Sequence, residues 1–388
     1  MVDVDVNDDP TPVVFCVEHY NPLGIVRSLG EYGIRPRVIV VKDAAPPLVS
    51  RSRYVKELVK VDSIEEGYEL LLTLRHANAS GKRVPVLTAD DRITSFLDQH
   101  YDELIPYFAF FNAGEAGRVT KYQNKNELSM LAVKHGLNVL KYEIVKNGEL
   151  PTGLRYPVIT KDIASTIGAW KDDVYICNSE TELKEAFEKI EGDRILVQEY
   201  LEKENEYCLE GVCTSSGNRV LIAIASKYNY LLPDSYSPYM TVSNFDDEEL
   251  GKTIKTILRE IGFEGIFEAE FLVGKNGSLY FGEINFRNST WSYAATKAGM
   301  PLPVIWIKAV NDEQFDIEGC KKLISSPFRA VVEPNDFMQR ILNGHGGIFA
   351  WLKDLMSSSC HYYLNVHDMK PVFCYLSGRF SKLWRRSE

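Results

Sequence analysis

The sequence predicts an α/β protein, with a doubly wound parallel sheet at its N-terminal end and α+β lobes after it. Two observations carry that expectation. Apolar runs at Val13 to Val17, Arg37 to Val41 and Val84 to Thr88 alternate with stretches of helical character, Asn21 to Tyr32 and Ile64 to Ala79. Strands that alternate with helices specify parallel pairing through helical crossovers. After Lys125 that alternation lapses, and shorter strand-like runs collect around a few helices and turns.

Each element has its own warrant. Val13 to Val17 is short and continuously apolar, as a buried strand is, and Leu23, Val26 and Leu29 then recur at helical spacing. Lys125 to His135 reads as a helix closed by Gly136, whose freedom at positive φ suits a helix C-terminus. Tyr156 to Lys161, Tyr175 to Asn178 and Arg194 to Tyr200 read as strands around a helix from Glu180 to Ile190. Glu206 to Cys213, Arg219 to Ser226 and Met240 to Ser243 are further strands, before a helix from Glu248 to Ile261. Phe267 to Val273 and Ser278 to Ile284 flank Gly274-Lys275-Asn276-Gly277, a loop of turn formers, and read as a hairpin. A long helical tail follows.

Composition narrows the function. With 388 residues, 45% of them hydrophobic and 25% charged, the chain holds more apolar material than one core uses, so two or three lobes are expected. A net charge of −10 argues against a nucleic-acid or anionic-membrane surface, which selects clustered Lys and Arg. The seven cysteines are scattered, with no C-x-x-C pair, and read as reduced thiols. The acidic start MVDVDVNDDPTP lacks the order of a signal peptide, and no apolar run approaches the ~18 residues of a membrane span, so the expected location is cytoplasmic.

The densest chemistry lies on the hairpin. In Phe281-Gly282-Glu283-Ile284-Asn285-Phe286-Arg287, side-chain alternation puts Glu283, Asn285 and Arg287 on one face, and antiparallel pairing can bring Glu270 opposite them. Oxygen ligands without Cys or His favour a hard cation such as Mg²⁺, with Mn²⁺ as an alternative, and Mg²⁺ shares its shell with phosphate. Arg287 can clamp a phosphoryl or carboxylate oxygen. The competing reading is a solvated strand face. Upstream, the strand Tyr156 to Lys161 ends in a lysine, and Ala164-Ser165-Thr166-Ile167-Gly168-Ala169 supplies small residues whose N–H groups can face phosphates. Alone, that lysine reads equally as a solvated strand end. Ile195 to Leu201 is an apolar strand running into a polar link, and Glu206 beyond it can accept ribose hydroxyls or simply be an exposed glutamate.

Five blocks in this order, Asn124-Lys125, Tyr156 to Lys161, Gln198 to Leu201 with Glu206, Phe267 to Phe271 and Phe281 to Arg287, resemble the ATP-grasp superfamily over roughly residues 13–310. The resemblance is to its carboxylate–amine ligases, related to D-alanine–D-alanine ligase, D-aspartate ligase and biotin carboxylase. It implies an ATP-grasp fold, in which an N-terminal α/β domain (1–110) precedes a small lobe (111–200, with 111–124 as linker and helix) and a large lobe (201–310) that clasp ATP. A helical extension (311–388) would follow. It further implies that Lys125 and Lys161 hold ATP phosphates, with Ser165 in the phosphate loop. Gln198, Glu199, Tyr200 and Leu201 would form the adenine link, Glu206 would bind ribose, and Glu270, Glu283 and Asn285 would bind Mg²⁺. Arg287 would steady an acyl phosphate. The implied reaction activates a carboxylate with ATP and joins it to an amine, on an amino acid or small peptide, with those small molecules as partners.

The sequence departs from the family at Asn124, where Asp is common, and in a loop after Lys161 that is less glycine-rich. Glu268 shares the face of Glu270 and is a substitute ligand. The aromatic, proline-punctuated segment Lys227 to Tyr239 reads as a substrate lid or a packed loop, with Lys227 at its base as a catalytic cation. Substrate choice is expected at His19 and Asn21, in the turn after the first strand, and at Ser289 and Thr290; His19 reads equally as structural. Two other functions remain open: an ATP-grasp kinase, and a silent nucleotide-binding scaffold. Residues 311–388 carry no motif tied to chemistry, His345 and His367 included, and leave room for a homodimer contact.

Overall fold

A computed structural model describes residues 9–76, 82–161, 174–232, 236–344 and 346–384, the last six of them as backbone alone. Ser165 with the loop 164–169, residues 233–235 of the expected lid, and His345 lie outside the described residues.

Strands β1 (Val13–Val17), β2 (Arg37–Val41), β3 (Glu57–Val61), β4 (Val84–Leu87) and β5 (Phe108–Ala109) form an all-parallel sheet in the order β3-β2-β1-β4-β5. Alternation along β1 and β2 feeds two cores. Val14, Cys16, Val38 and Val40 pack with Leu23, Val26 and Leu29 of the helix Tyr20–Gly30, while Val13, Phe15 and Ile39 pack with Tyr68, Leu71, Ile93 and Leu97. Both faces of the sheet are therefore covered by helices, as a parallel sheet requires. Strand order reverses direction between β1 and β4. The helices that follow these two strands start at Tyr20 and Asp91, capped by the side chains of His19 and Asp90.

Four strands, β6 (Tyr142–Lys146), β7 (Val158–Lys161), β8 (Ile176–Cys177) and β9 (Arg194–Glu199), make a small antiparallel sheet in the order β6-β9-β7-β8. Its own core joins Val145, Val158, Leu183, Phe187 and Val197. Seven strands build the largest sheet: β10 (Lys203–Thr214), β11 (Arg219–Tyr228), β12 (Tyr239–Ser243), β13 (Gly265–Gly274), β14 (Leu279–Asn285), β15 (Phe328–Val331) and β16 (Cys360–His361), in the order β14-β13-β10-β11-β12-β15-β16. The expected hairpin is β13–β14, turned through Gly277 at φ +78°, where the absence of Cβ is needed.

Three features differ from the expectations. The tail is not only helical, since β15 and β16 extend the large sheet beside β12. Residues 111–138 join the main core as well as touching the small sheet, where Tyr142 donates to Asn126 Oδ1 at 2.9 Å. Leu128, Leu131 and Ala132 of the helix Lys125–Lys134 belong to the main core, and Lys134 and His135 pair with Glu260 at 2.5 and 2.7 Å. The end of the chain also reaches back to the first sheet. Arg27, fully buried, donates to Asp368 at 3.0 Å and to the carbonyls of Tyr362 and Tyr363 at 2.7 and 3.1 Å.

Candidate active site

The site grows from the strand pairing of the large sheet. Pairing sets Cys208 opposite Glu270 and Glu210 opposite Glu268 across β10–β13, then Glu270 opposite Glu283 and Glu268 opposite Asn285 across β13–β14. Residues two apart share a face, so Glu206, Glu210, Glu268, Glu270, Glu283 and Asn285 all stand on one side. The Asn285 amide nitrogen lies 2.7 Å from Glu270, 3.1 Å from Glu268 and 3.4 Å from Glu283. Burial first, and then neighbouring carboxylates, push the carboxyls of Glu268 and Glu270 well above the usual carboxylate range. An amide hydrogen-bonded to several carboxylates is a weak substitute for positive charge. The oxygen-only donor set fits Mg²⁺ rather than a softer metal. Among the described residues, no group of three His, Cys, Asp or Glu side chains is closed into a metal cage.

Arg287 joins this face to the first sheet. It donates to Asn285 Oδ1 at 3.1 Å, and its Nε lies 2.8 Å from the carboxylate of Asp91. Asp91, Glu268 and Glu283 hold its guanidinium firmly protonated against the cost of burial. Asp91 and His19 sit just past the carboxyl ends of β4 and β1, the switch point where parallel sheets form a crevice. The same rule applied to β4 points to Asp91, which is absent from the residues expected above; Thr88-Ala89-Asp90-Asp91 after the strand is its signal in the sequence.

The two expected phosphate lysines come from different elements and lie near enough for the charge of Lys125 to act on Lys161. Lys161 ends β7 and donates to Gln198 at 2.7 Å. Burial and the charge of nearby Lys125 push its ammonium down to about 8, while Glu283 and Glu206 oppose the shift. Lys125 opens its helix behind an Asn124 cap that accepts from the Asn126 and Glu127 N–H groups at 3.0 and 3.4 Å, which gives the departure from Asp a helix-capping role. Glu206 is buried and paired with Lys203, a cation that the sequence reading overlooked. In the link, the N–H of Glu199 donates to Lys141 O and that of Tyr200 to Pro157 O, both at 2.8 Å. Those donors serve the small sheet, so neither N–H is free for a ligand. The Glu199 carboxylate accepts from the Arg155 N–H at 3.2 Å.

Two expected residues are misplaced. Lys227 pairs opposite Tyr207 and lies over its ring at 5.4 Å. Tyr207 belongs to the alternate set on β10, so Lys227 projects from the face of the sheet opposite the carboxylates and is exposed. Ser289 is buried and donates to Glu210 at 2.6 Å, as does Ser292; its hydroxyl supports a buried carboxylate rather than a ligand. His19, Asn21 and Thr290 do line a cavity of about 380 Å³, together with Glu268, Glu270, Asn285 and Arg287. Tyr236, Ser237 and Pro238 of the expected lid also line it, and Ser237 and Pro238 are buried. So do Val332, Asn335, Met338 and Gln339 of the tail, to which no chemistry had been tied.

No family model and no curated protein matches this chain. Solved structures do. An L-amino acid ligase from Bacillus licheniformis is 15% identical with a TM-score of 0.63, covering 84% of this chain and 81% of its own. N5-carboxyaminoimidazole synthetase from Staphylococcus aureus is 16% identical with a TM-score of 0.61, over 88% and 89% of the two chains. Biotin carboxylase from Campylobacter jejuni, solved as a β-γ-ATP complex, is 16% identical with a TM-score of 0.63, over 82% and 75%. Sheet order, the carboxylate face and these likenesses together give this chain the ATP-grasp fold.

Proposed function

We propose that the protein is an ADP-forming ligase that uses ATP and Mg²⁺ to activate a carboxylate as an acyl phosphate and joins it to an amine, with an amino acid or small peptide as substrate. The observation that carries the reading is the convergence of Lys161 and Lys125 with Glu283, Glu270 and Asn285, with Arg287 at the cavity end of the same face. Lys125 and Lys161 would hold the phosphates, Leu201 and Glu206 the adenosine, and Glu270, Glu283 and Asn285 the metal, with Glu268 beside them. Bound Mg²⁺, or Mn²⁺ in its place, would neutralise phosphate charge.

The chain's own residues do the rest. Arg287, fixed by Asp91, meets a carboxylate entering from the cavity and steadies the charge on the acyl group when the amine adds and phosphate leaves. The described lining of Tyr228, Trp291 and Pro238 excludes water from an intermediate prone to hydrolysis. No described helix is long and apolar enough to cross a membrane. The exposed Ile348, Phe349, Leu352 and Met356 favour a homodimer through the tail.

The test is ADP release from ATP and Mg²⁺ with amino acids and small carboxylates, singly and in pairs, beside Glu283→Ala. Turnover that needs a pair and is lost in the variant supports the ligase. A stable phosphorylated product from one carboxylate replaces it with a kinase, and nucleotide binding without turnover replaces it with a scaffold.

A further inference from the structure

The cavity beyond Arg287 has three chemically distinct walls. At one, Arg287 faces the start of the helix Tyr20–Gly30, which has no acidic residue in its first turn and so offers an uncompensated positive end. His19 Nδ1 accepts the Asn21 N–H at 3.2 Å. Burial and nearby Arg287 push the imidazole down to about 4, so it is neutral at physiological pH. The neutral ring therefore carries its proton on Nε2 and is a donor. Arg287, His19 and the helix end together suit one carboxylate.

At the second wall, Asn21 Oδ1 is a buried acceptor with no hydrogen-bond partner, in a residue that lines the cavity. An acceptor so placed calls for an N–H donor. The third wall is apolar: Tyr228, Trp291, Pro238, Val332 and Met338. Among the described lining residues Arg287 is the only Lys or Arg, so a second anionic group would be buried unpaired.

We propose that this cavity binds an α-amino acid with an apolar side chain, its carboxylate at Arg287 and His19, its ammonium toward Asn21, and its side chain against Met338 and its neighbours. The assignment deepens the ligase reading and rests on it for the use made of the bound carboxylate. A volume of about 380 Å³ suits one amino acid and excludes a long peptide.

The segment carrying Met338 and Gln339 is firmly held. It enters a single π-helical turn, Met338–Leu342, a geometry frequent at functional sites. Arg340 in that turn pairs with Asp354 at 2.8 Å and lies 5.6 Å from the Tyr239 ring centre, and Tyr230 donates to Asp336 at 2.6 Å. The tail is thus a specificity wall for the side chain.

The experiment is calorimetric binding of leucine, phenylalanine, aspartate and O-phosphoserine to the full chain with Mg²⁺ and a non-hydrolysable ATP analogue. Leucine and phenylalanine should bind at least about tenfold more tightly than the two acidic compounds, within the range an apolar pocket discriminates. Met338→Lys should cut the leucine-to-aspartate preference by about tenfold or more, and Met338→Leu should retain it. Equal or tighter binding of the acidic compounds, an unchanged preference in Met338→Lys, or no binding by any of the four overturns the inference. Selective binding without ADP release for any amine partner leaves the inference standing and removes the ligase reading. ADP release indifferent to the side chain does the reverse.

Discussion

Asp91→Asn tests whether the first sheet sets the position of Arg287, the arginine proposed to meet the carboxylate. The side chain keeps its size and an acceptor oxygen but loses the charge that faces Arg287 Nε at 2.8 Å. Both partners are mostly buried, with side-chain exposures of 17% and 19%, so solvent screens the pair only partly. Arg287 Nε and Asp91 form an ion pair rather than a hydrogen bond, and removing one charge of a pair this buried costs about 1.5–3 kcal/mol, below the cost for a fully buried pair, while the bond from Arg287 to Asn285 Oδ1 at 3.1 Å would remain. If that energy is felt where Arg287 meets the carboxylate, kcat/KM for the carboxylate falls about ten- to hundredfold. Affinity for ATP should hold, because the residues proposed to hold its adenosine and phosphates are others. The assay is steady-state ADP release with the carboxylate varied at saturating ATP, with nucleotide affinity measured separately. A kcat/KM within twofold of the wild type would refute the reasoning, since Arg287 would then need no support from the first sheet.

Arg27→Met should lower stability by about 3–5 kcal/mol, read in urea unfolding, because Asp368 and the Tyr362 and Tyr363 carbonyls lose their buried donor; a loss under about 1 kcal/mol contradicts this. Ser289→Ala should cost about 1–3 kcal/mol by leaving Glu210 short of a donor, with KM for the carboxylate unchanged. A raised KM with unchanged stability would return Ser289 to the substrate site. Lys227→Ala should leave kcat/KM within about threefold, because its side chain leaves the opposite face of the sheet. Lys161 adds a pH dependence. Its lowered value, about 8, means that the metal-free fold gains stability from the neutral form, present above the unfolded value and lost as pH falls through about 8. Phosphates beside the ammonium favour the charged form, so nucleotide binding should take up protons above pH 8 and weaken as pH rises there. Calorimetry in two buffers of different ionisation enthalpy reads that uptake, and proton release would contradict it.

Local pattern was enough for the first sheet's central strands, because continuous apolar runs between helical stretches have few other uses. The carboxylate face was legible for a similar reason, since a period of two and a short turn decide which side chains share a side and which strand opposes which. β3 escaped because Glu57-Leu58-Val59-Lys60-Val61 carries two charges at a sheet edge, and β15 and β16 escaped because their partners are distant in sequence. Lys227 was misjudged by proximity along the chain, where one residue's offset on a strand reverses the face.

The sequence by itself determined the alternating α/β start, the hairpin and the identity of the clustered oxygen groups, all set by interactions between near neighbours in the chain. Tertiary structure decided which groups from distant segments meet. Asp91 reaches Arg287 because strand order reverses between β1 and β4, and Met338 lines the cavity because the tail adds strands beyond β12. Ser289 serves Glu210 because a buried carboxylate takes the nearest donors that packing supplies. These outcomes depend on long-range burial and pairing, for which no local period in the sequence stands.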